Sequence, residues 1–447
     1  MVRRTVSEKS EWILEEFKKL PLYLQEKMLK DLGILKKMPI PQVSTTYKIN
    51  QVIIPLRKEK CNMSDKLNAT VKTWELLEAI KIVENFISRE KMGKESLKGI
   101  CIEVNQKENI LILRTTDLKM SAKVEILGQV NKSGKAVVSC KTFKELIKGI
   151  SDTDVCIIIE KEKILIQTKN SKSTISIIGN IDFPEWADIN SLRHYSVQKS
   201  ELKNLFENVK FSASANPENE AVNCVRFEYE EEKLKVAGTD TYRLSYAEIN
   251  LNANEGQPEE RLNVSIPLKM IDGIVKSMKS KLGIPREKVL IVCDGNKVLF
   301  KFAGIEIVSD LTKLEFPDYK TIIKNLNTDK QAVLHTKDFI AVLKRAYSIA
   351  KGNKEAKNGA IFDFSQNRLL IKSIDEYSEF REEITTLYTG EDLKISLNVK
   401  FLMDFISKVK DKTVVLKMLN NKSAVLVKGE SNDNWIYLIM PLALREY

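Results

Sequence analysis

Apolar and polar residues alternate along much of this chain, and the alternation is interrupted in the same way three times. The stretches NILILRTTDLKMSAKVEI (109–126), KLKVAGTDTYRLSYAEI (233–249) and RLLIKSIDEYSEFREEI (368–384) each alternate, break at a short Asp-containing step, and resume. The breaks fall at Asp117, Asp240 and Asp375. Alternation of this kind predicts half-buried strands, and the step predicts a turn between them. A second set of stretches, 136–168, 262–302 and 393–428, reads each time as strand, helix, strand, hairpin turn, strand. Two linkers echo as well, with FPEW at 183–186 and FPDY at 316–319. Self-similarity at a long fixed period means one architectural unit used repeatedly. A unit of roughly 120 residues is domain-sized, so three tandem domains are expected.

Helical periodicity fills in the remainder. An opening helix over 72–88 is predicted to bury Trp74, Leu77, Ile80, Val83, Phe86 and Ile87, with counterparts over 198–211 and 336–350. A second helix per domain is predicted over 141–150, 268–279 and 399–410. Each domain then holds two helices and about eight strands, as a duplicated strand–helix–strands half, and the class is α+β. The expected boundaries are 1–67, 68–189, 190–324 and 325–447. In the first segment, Trp12, Ile13, Phe17 and Leu20 recur at helical spacing, and Pro21 opens a second short helix that stops at Gly33. Residues 38–62, with three prolines, read as a linker.

Composition narrows the chemistry. The 447 residues are 43% hydrophobic, enough for real cores. No run approaches the ~20 apolar residues that span a bilayer, and the charged N-terminus lacks a signal-peptide stretch, so the expectation is a cytoplasmic protein with no membrane partner. Six cysteines (Cys61, Cys101, Cys140, Cys156, Cys224 and Cys293) lie far apart with no CxxC pair, which favours buried free thiols. Only His194 and His335 are present, and neither sits beside a cluster of metal-ligating residues. No phosphate-cradling glycine loop is found. The expectation is a binding scaffold with no catalytic residue, metal or cofactor.

The formal charge is +11, which fits a polyanionic partner. Residues 1–67 carry 14 Lys/Arg against 8 Asp/Glu, so the excess is concentrated there. Basic residues also recur on all six predicted domain helices. The first helices carry Lys81 and Arg89, then Lys199, Lys203 and Lys210, then Lys337, Lys344 and Arg345. The second carry Lys141, Lys144 and Lys148, then Lys269, Lys276 and Lys279, then Lys400, Lys408 and Lys410. Any one of these is an ordinary solvated helix face. Six related helices with one bias would form an electropositive surface, suited to binding a nucleic-acid backbone without reading sequence.

Several segments resemble the bacterial DNA polymerase III beta subunit family, the sliding clamps. TTDLKM (115–120), GTDTYRLS (238–245), LEFPDYKTII (314–323), LKRAYSIA (343–350), LNVKFLMDFI (397–406) and YLIMPLAL (437–444) look like family segments, in the family's order. The resemblance implies three clamp domains per chain and a head-to-tail homodimer closing a six-domain ring, with helices lining a hole for double-stranded DNA. It implies a processivity factor for the replicative DNA polymerase, with the clamp loader and other proteins carrying a clamp-binding motif as further partners. It places a partner-peptide pocket at Val222, Thr239, Thr241, Tyr242, Arg243, Leu244, Pro267, Ile271, Phe401, Ile439, Met440, Pro441 and Leu442. The DNA-facing residues would be Lys81, Arg89, Lys141, Lys144, Lys148, Lys199, Lys203, Lys210, Lys276, Lys279, Lys344, Arg345 and Lys408, and the dimer contacts Leu146, Ser348 and Ile349.

The chain departs from the family pattern at Thr241-Tyr242, where Gly-His is usual, in its LREY ending, in its basic charge and in the 1–67 extension. The extension is expected to be a separate interaction module. A second reading keeps the fold without the ring, as a monomeric DNA-binding accessory protein of a mobile element. A hydrolase using Asp117, Asp240 and Asp375 ranks lower, because equivalent turns of different domains lie too far apart to share a metal.

Overall fold

In a computed structural model the chain divides into two units, 1–63 and 64–447. The structure describes residues 67–88, 94–178, 183–186, 189, 194–251, 261–283, 287–352 and 358–443, all in the second unit. The helices and linker expected before residue 67, with Cys61, lie outside the described residues, as does Arg89.

The threefold repeat is present as three clamp domains. The first contains β1 (Leu67–Lys72), α1 (Thr73–Val83), β2 (Gly99–Asn105), β3 (Ile110–Thr116), β4 (Met120–Leu127), β5 (Gln129–Val130), β6 (Gly134–Ser139), α2 (Cys140–Lys148), β7 (Asp154–Ile159), β8 (Lys163–Gln167) and β9 (Lys172–Ser176). The second contains β10 (His194–Gln198), α3 (Lys199–Val209), β11 (Cys224–Glu230), β12 (Lys233–Thr239), β13 (Arg243–Asn250), β14 (Leu262–Pro267), α4 (Leu268–Ser277), β15 (Lys288–Cys293), β16 (Lys297–Phe302) and β17 (Ile305–Asp310). A short helix, α5 (Tyr319–Lys324), follows. The third contains β18 (Lys330–His335), α6 (Thr336–Ala350), β19 (Gly359–Ser365), β20 (Arg368–Ile374), β21 (Glu379–Thr385), β22 (Leu387–Thr389), β23 (Leu393–Asn398), α7 (Val399–Ile406), β24 (Thr413–Met418), β25 (Val425–Gly429) and β26 (Trp435–Ile439).

Strand pairing does not stop at the domain junctions. β4 of the first domain pairs antiparallel with β17 of the second, with Ser121 opposite Val308, and this makes one eight-stranded sheet. In the same way β13 pairs with β26, with Leu244 opposite Leu438, inside a nine-stranded sheet. Five- and four-stranded sheets remain at the two ends, with β9 and β21 as edges of the same type.

The three Asp-containing steps are equivalent turns. Asp117 Oδ1 accepts the backbone N–H groups of Lys119 and Met120 at 3.1 and 2.7 Å. Asp240 does the same for Tyr242 and Arg243, both at 3.1 Å, and Asp375 for Tyr377 and Ser378 at 2.9 and 2.6 Å. Local backbone bonding is the ordinary work of Asp in a turn, and it uses these carboxylates structurally.

The helices bury one stripe each against the sheets. Helix α1 buries Thr73, Leu76, Ala79, Ile80 and Val83. Trp74 was expected inside, yet it is 42% exposed. It sits one residue from Thr73, about 100° round the helix from the buried stripe. The expected 72–88 helix is α1 followed by a tighter turn over Glu84–Phe86, which buries Phe86. Helix α5 was not foreseen; Asp318 caps it, accepting the Thr321 N–H at 3.1 Å. The five described cysteines are buried and form no disulfide with one another. No described helix is long and apolar enough to cross a membrane.

One junction residue makes a pH-dependent contribution. Glu306 on β17 is 9% exposed and receives the Lys123 ammonium from β4 at 2.9 Å and that of Lys301 at 2.9 Å. Burial by itself raises its pKa, but the two lysines outweigh it and hold the carboxyl below its ordinary value. A depressed folded-state pKa stabilises the fold above the unfolded value, and that contribution is lost as the pH falls through the folded value. Glu306→Gln should therefore cost about 1–3 kcal/mol at pH 7, measured by urea unfolding. The gap between wild type and variant should close as the pH drops below the ordinary glutamate range; a gap independent of pH refutes the assignment.

Candidate functional site

Period-two alternation gives β13 and β26 two faces, and the junction between the second and third domains uses both. On one face Leu244 and Leu438 meet Cys224, Ala237, Phe316 and Tyr319 in a small apolar cluster separate from the main core. Tyr246, Ile323, Leu326 and Leu426 pack around it. The FPDY segment crosses this face like a strap. The Tyr319 hydroxyl donates to Glu228 at 3.1 Å, and its ring lies 5.6 Å from that of Tyr246 and 6.1 Å from that of Phe316. Burial, then the neighbouring carboxylate of Glu228, pushes the Tyr319 hydroxyl pKa well up, so it stays a donor. Burial likewise pushes the Cys224 thiol up to about 11.

Large apolar groups stand in solvent around this floor. Tyr242 is 60% exposed and Met440 43%, and their backbones are joined by the Met440 N–H donating to the Tyr242 carbonyl at 2.9 Å. Leu314 and Ile322, on either side of the strap along the chain, are also exposed. Thr239 donates its hydroxyl to the Arg243 carbonyl at 2.6 Å, and Thr241 holds a positive φ of 75°. Pro441 and Leu442 are half-buried, with the Leu442 N–H on the Ser396 carbonyl at 2.8 Å.

The opposite face takes other residues of the expected pocket. Arg243 donates to Asp240 at 2.9 Å and to Asp404 of α7 at 2.8 Å, and its guanidinium lies 4.0 Å from the Phe401 ring centroid. It ties the second domain to the third. Ile271 and Ile439 are fully buried in the main core, so neither presents a wall to a ligand. Val222 is buried, and Pro267 pairs with Cys224 at the end of β14. Leu438 shares the cluster with Leu244 but was not among the expected pocket residues. The alternation itself held the signal: adjacent strand residues face opposite ways, so if Leu244 faces the groove, its partner Leu438 does and Ile439 does not.

Several of the basic residues expected to face DNA also make contacts within the fold. Lys144 reaches Glu84 at 2.7 Å, Lys210 reaches Asp272 at 2.5 Å and Lys279 reaches Glu207 at 2.7 Å. Each of these pairs ties together the two helical segments of one domain. Arg345 grips Glu382 of β21 with two nitrogens, at 2.8 and 2.5 Å. Lys81 pairs with Glu78, and the Lys408 ammonium lies 5.6 Å over the Phe211 ring. Lys199 is only 9% exposed and bonded to Glu287, so it offers no free charge at the surface. Lys203 is half-buried. Lys141, Lys148, Lys276 and Lys344 are exposed and, among the described residues, pair with no carboxylate.

The comparisons with known proteins agree with this architecture. Residues 67–187, 196–318 and 325–443 match the N-terminal, central and C-terminal domains of the DNA polymerase III beta subunit. The chain belongs to this family. The beta sliding clamp of Escherichia coli K12 is 25% identical over 341 residues, covering 75% of this chain and 90% of that one. That of Chlamydia muridarum is 24% identical over 378 residues, covering 83% and 98%. Among solved structures, the beta subunit of Thermotoga maritima superposes with a TM-score of 0.78 at 22% identity, and a Pseudomonas aeruginosa sliding clamp bound to griselimycin does so with 0.78 at 21%. Each covers 85% of this chain and all of the other.

In this clamp subunit, the expected dimer contacts lie on α2 and α6. Leu146 and Ile349 are half-buried, and exposed Ser348 donates its hydroxyl to the Arg345 carbonyl at 2.6 Å. The two faces of the groove separate by stability. Ile271→Ala and Ile439→Ala should each cost about 2–5 kcal/mol in denaturant unfolding. Ile322→Ala and Met440→Ala should stay within about 0.5 kcal/mol of wild type. Equal losses at all four positions would make the exposed pair structural as well.

Proposed function

We propose that two copies of this sliding-clamp subunit close head to tail into a ring around duplex DNA and tether replication proteins through the groove between the second and third domains. One observation carries the ring: β4–β17 and β13–β26 close two junctions by strand pairing, while β9 and β21 are left as edges of the same two types. Unpaired edges invite association, and a heterologous contact that closes on itself gives a ring. The monomeric alternative leaves both edges uncovered.

The internal repeat also dictates the register of the missing junction. Extending the pairing of Ser309 with Met120 and of Ile439 with Arg243 sets Ile175 opposite Ser378. Thr174 then faces Glu379, and Ser173 faces Phe380. Lys172 falls opposite Arg381, a like-charge pair that Glu379 and Glu383, on the same face of β21, offset.

A ring needs only weak attraction to DNA, because topology prevents loss. The unpaired ammonium groups of Lys141, Lys148, Lys276 and Lys344 suit diffuse, exchanging phosphate contacts that read no sequence. The exposed Tyr242, Met440 and Ile322 around an apolar floor suit a short linear peptide with an apolar terminal pair, the form of motif that the polymerase, loader and other partners would share. The subunit's role is to hold, not to catalyse.

The ring and the groove are tested separately. Protein loaded on closed circular duplex should survive moderate salt and be released when the DNA is linearised. Combining Ser173→Cys with Phe380→Cys should give disulfide-linked dimers, and Ile349→Lys should give folded monomers by light scattering. Retention indifferent to linearisation, or a strong preference for one short sequence, would sink the ring. For the groove, Met440→Ala with Leu244→Ala should weaken a Gln-containing clamp-binding peptide by about 1–3 kcal/mol per truncation, read by fluorescence polarisation. Unchanged affinity with the dimer intact would mean that partners dock elsewhere.

A further inference from the structure

The repeat that builds the groove between the second and third domains builds a counterpart between the first and second. Ser121 opposite Val308 stands where Leu244 stands opposite Leu438. Leu118 takes the positive-φ position of Thr241, at 77° against 75°. The Asp310 N–H donates to the Lys119 carbonyl at 2.9 Å, as Met440 does to Tyr242. Trp186 closes the FPEW strap as Tyr319 closes FPDY. The Lys123 ammonium lies 5.3 Å over the Trp186 ring, where Tyr246 lies 5.6 Å from Tyr319. Leu118, Lys119, Ser121, Trp186, Val308 and Asp310, with Lys297, line a shallow open recess with a volume of about 20 Å³.

Same frame, different chemistry. Lys119 replaces Tyr242, Ser121 replaces Leu244, and Asp310 replaces Met440. Leu118 is 64% exposed at the rim. The Lys119 side chain is exposed and, among the described residues, pairs with no carboxylate. Lys297 meets Asp310 only at 3.7 Å. Two ammonium groups thus face one carboxylate beside a half-buried indole and an exposed leucine.

We infer that this recess is a second linear-peptide docking site, for a short acidic segment with one aromatic or leucine anchor. The anchor side chain lies across the exposed Leu118 and the Trp186 ring, over the shallow recess, and flanking carboxylates meet Lys119 and Lys297. The inference rests on reading the groove between the second and third domains as a peptide site, since the internal symmetry carries the geometry across. The differing side chains let one ring hold two classes of partner at once, without competition between them.

The test uses the full chain and a fluorescein-labelled hexapeptide, Asp-Glu-Trp-Leu-Asp-Glu, at low ionic strength, with the Gln-containing peptide measured in parallel. Lys119→Glu should weaken the acidic peptide tenfold or more, and Lys119→Arg should stay within twofold of wild type. Trp186→Ala should also weaken it, while Met440→Ala should not. Sizing of each variant confirms an intact fold. Affinity indifferent to Lys119→Glu and Trp186→Ala, loss on Met440→Ala, or no saturable binding overturns the second site. Failure of the Gln-containing peptide to bind would strike the other groove's reading instead.

Discussion

Strand pairing across domain junctions is the constraint on which the rest of this protein depends. Every buried backbone N–H and C=O needs a partner, and a sheet satisfies its own except at its edges. Joining β4 to β17 and β13 to β26 removes four edges inside the chain and fixes each domain against the next. Side chains reinforce the seams: Lys123 reaches Glu306 across one, and Arg243 reaches Asp404 across the other. Among the remaining edge strands, β9 and β21 are the two that correspond by the internal repeat to the strands joined at these seams.

Charge is used in two distinct ways on the helices. Ion pairs such as Lys144–Glu84 and Lys210–Asp272 lock neighbouring helical segments. The unpaired lysines that remain are few and spread over α2, α4 and α6. A sparse distribution suits a sliding contact, since dense, well-formed phosphate bonds would hold the protein in place.

Repetition of backbone geometry with changed side chains accounts for the two junction grooves. The Asp turn, the positive-φ residue after it and the aromatic strap recur at both junctions, so the recess is a consequence of the domain joint itself. What differs is the lining: Leu244, Tyr242 and Met440 make one groove apolar, and Ser121, Lys119 and Asp310 make the other charged. The chemical difference between the junctions resides in those few positions, on a frame the fold supplies twice.

Much of this was legible in the sequence because it is local. Alternation marked the strands, the Asp steps marked the turns, and three copies of one pattern marked three domains. Tyr242 and Met440, both exposed at the second junction, were singled out through the resemblance of their segments. Other features were settled only by tertiary packing. Which of Leu438 and Ile439 meets the groove depends on the register of β26 against β13. Trp74 lies outside because the stripe of α1 begins one residue earlier, and Lys199 is buried against Glu287, which precedes β15 and lies 88 residues away in the chain. The chain alone determined which elements form; contacts between distant segments decided which face of each is buried, because burial depends on what lies opposite.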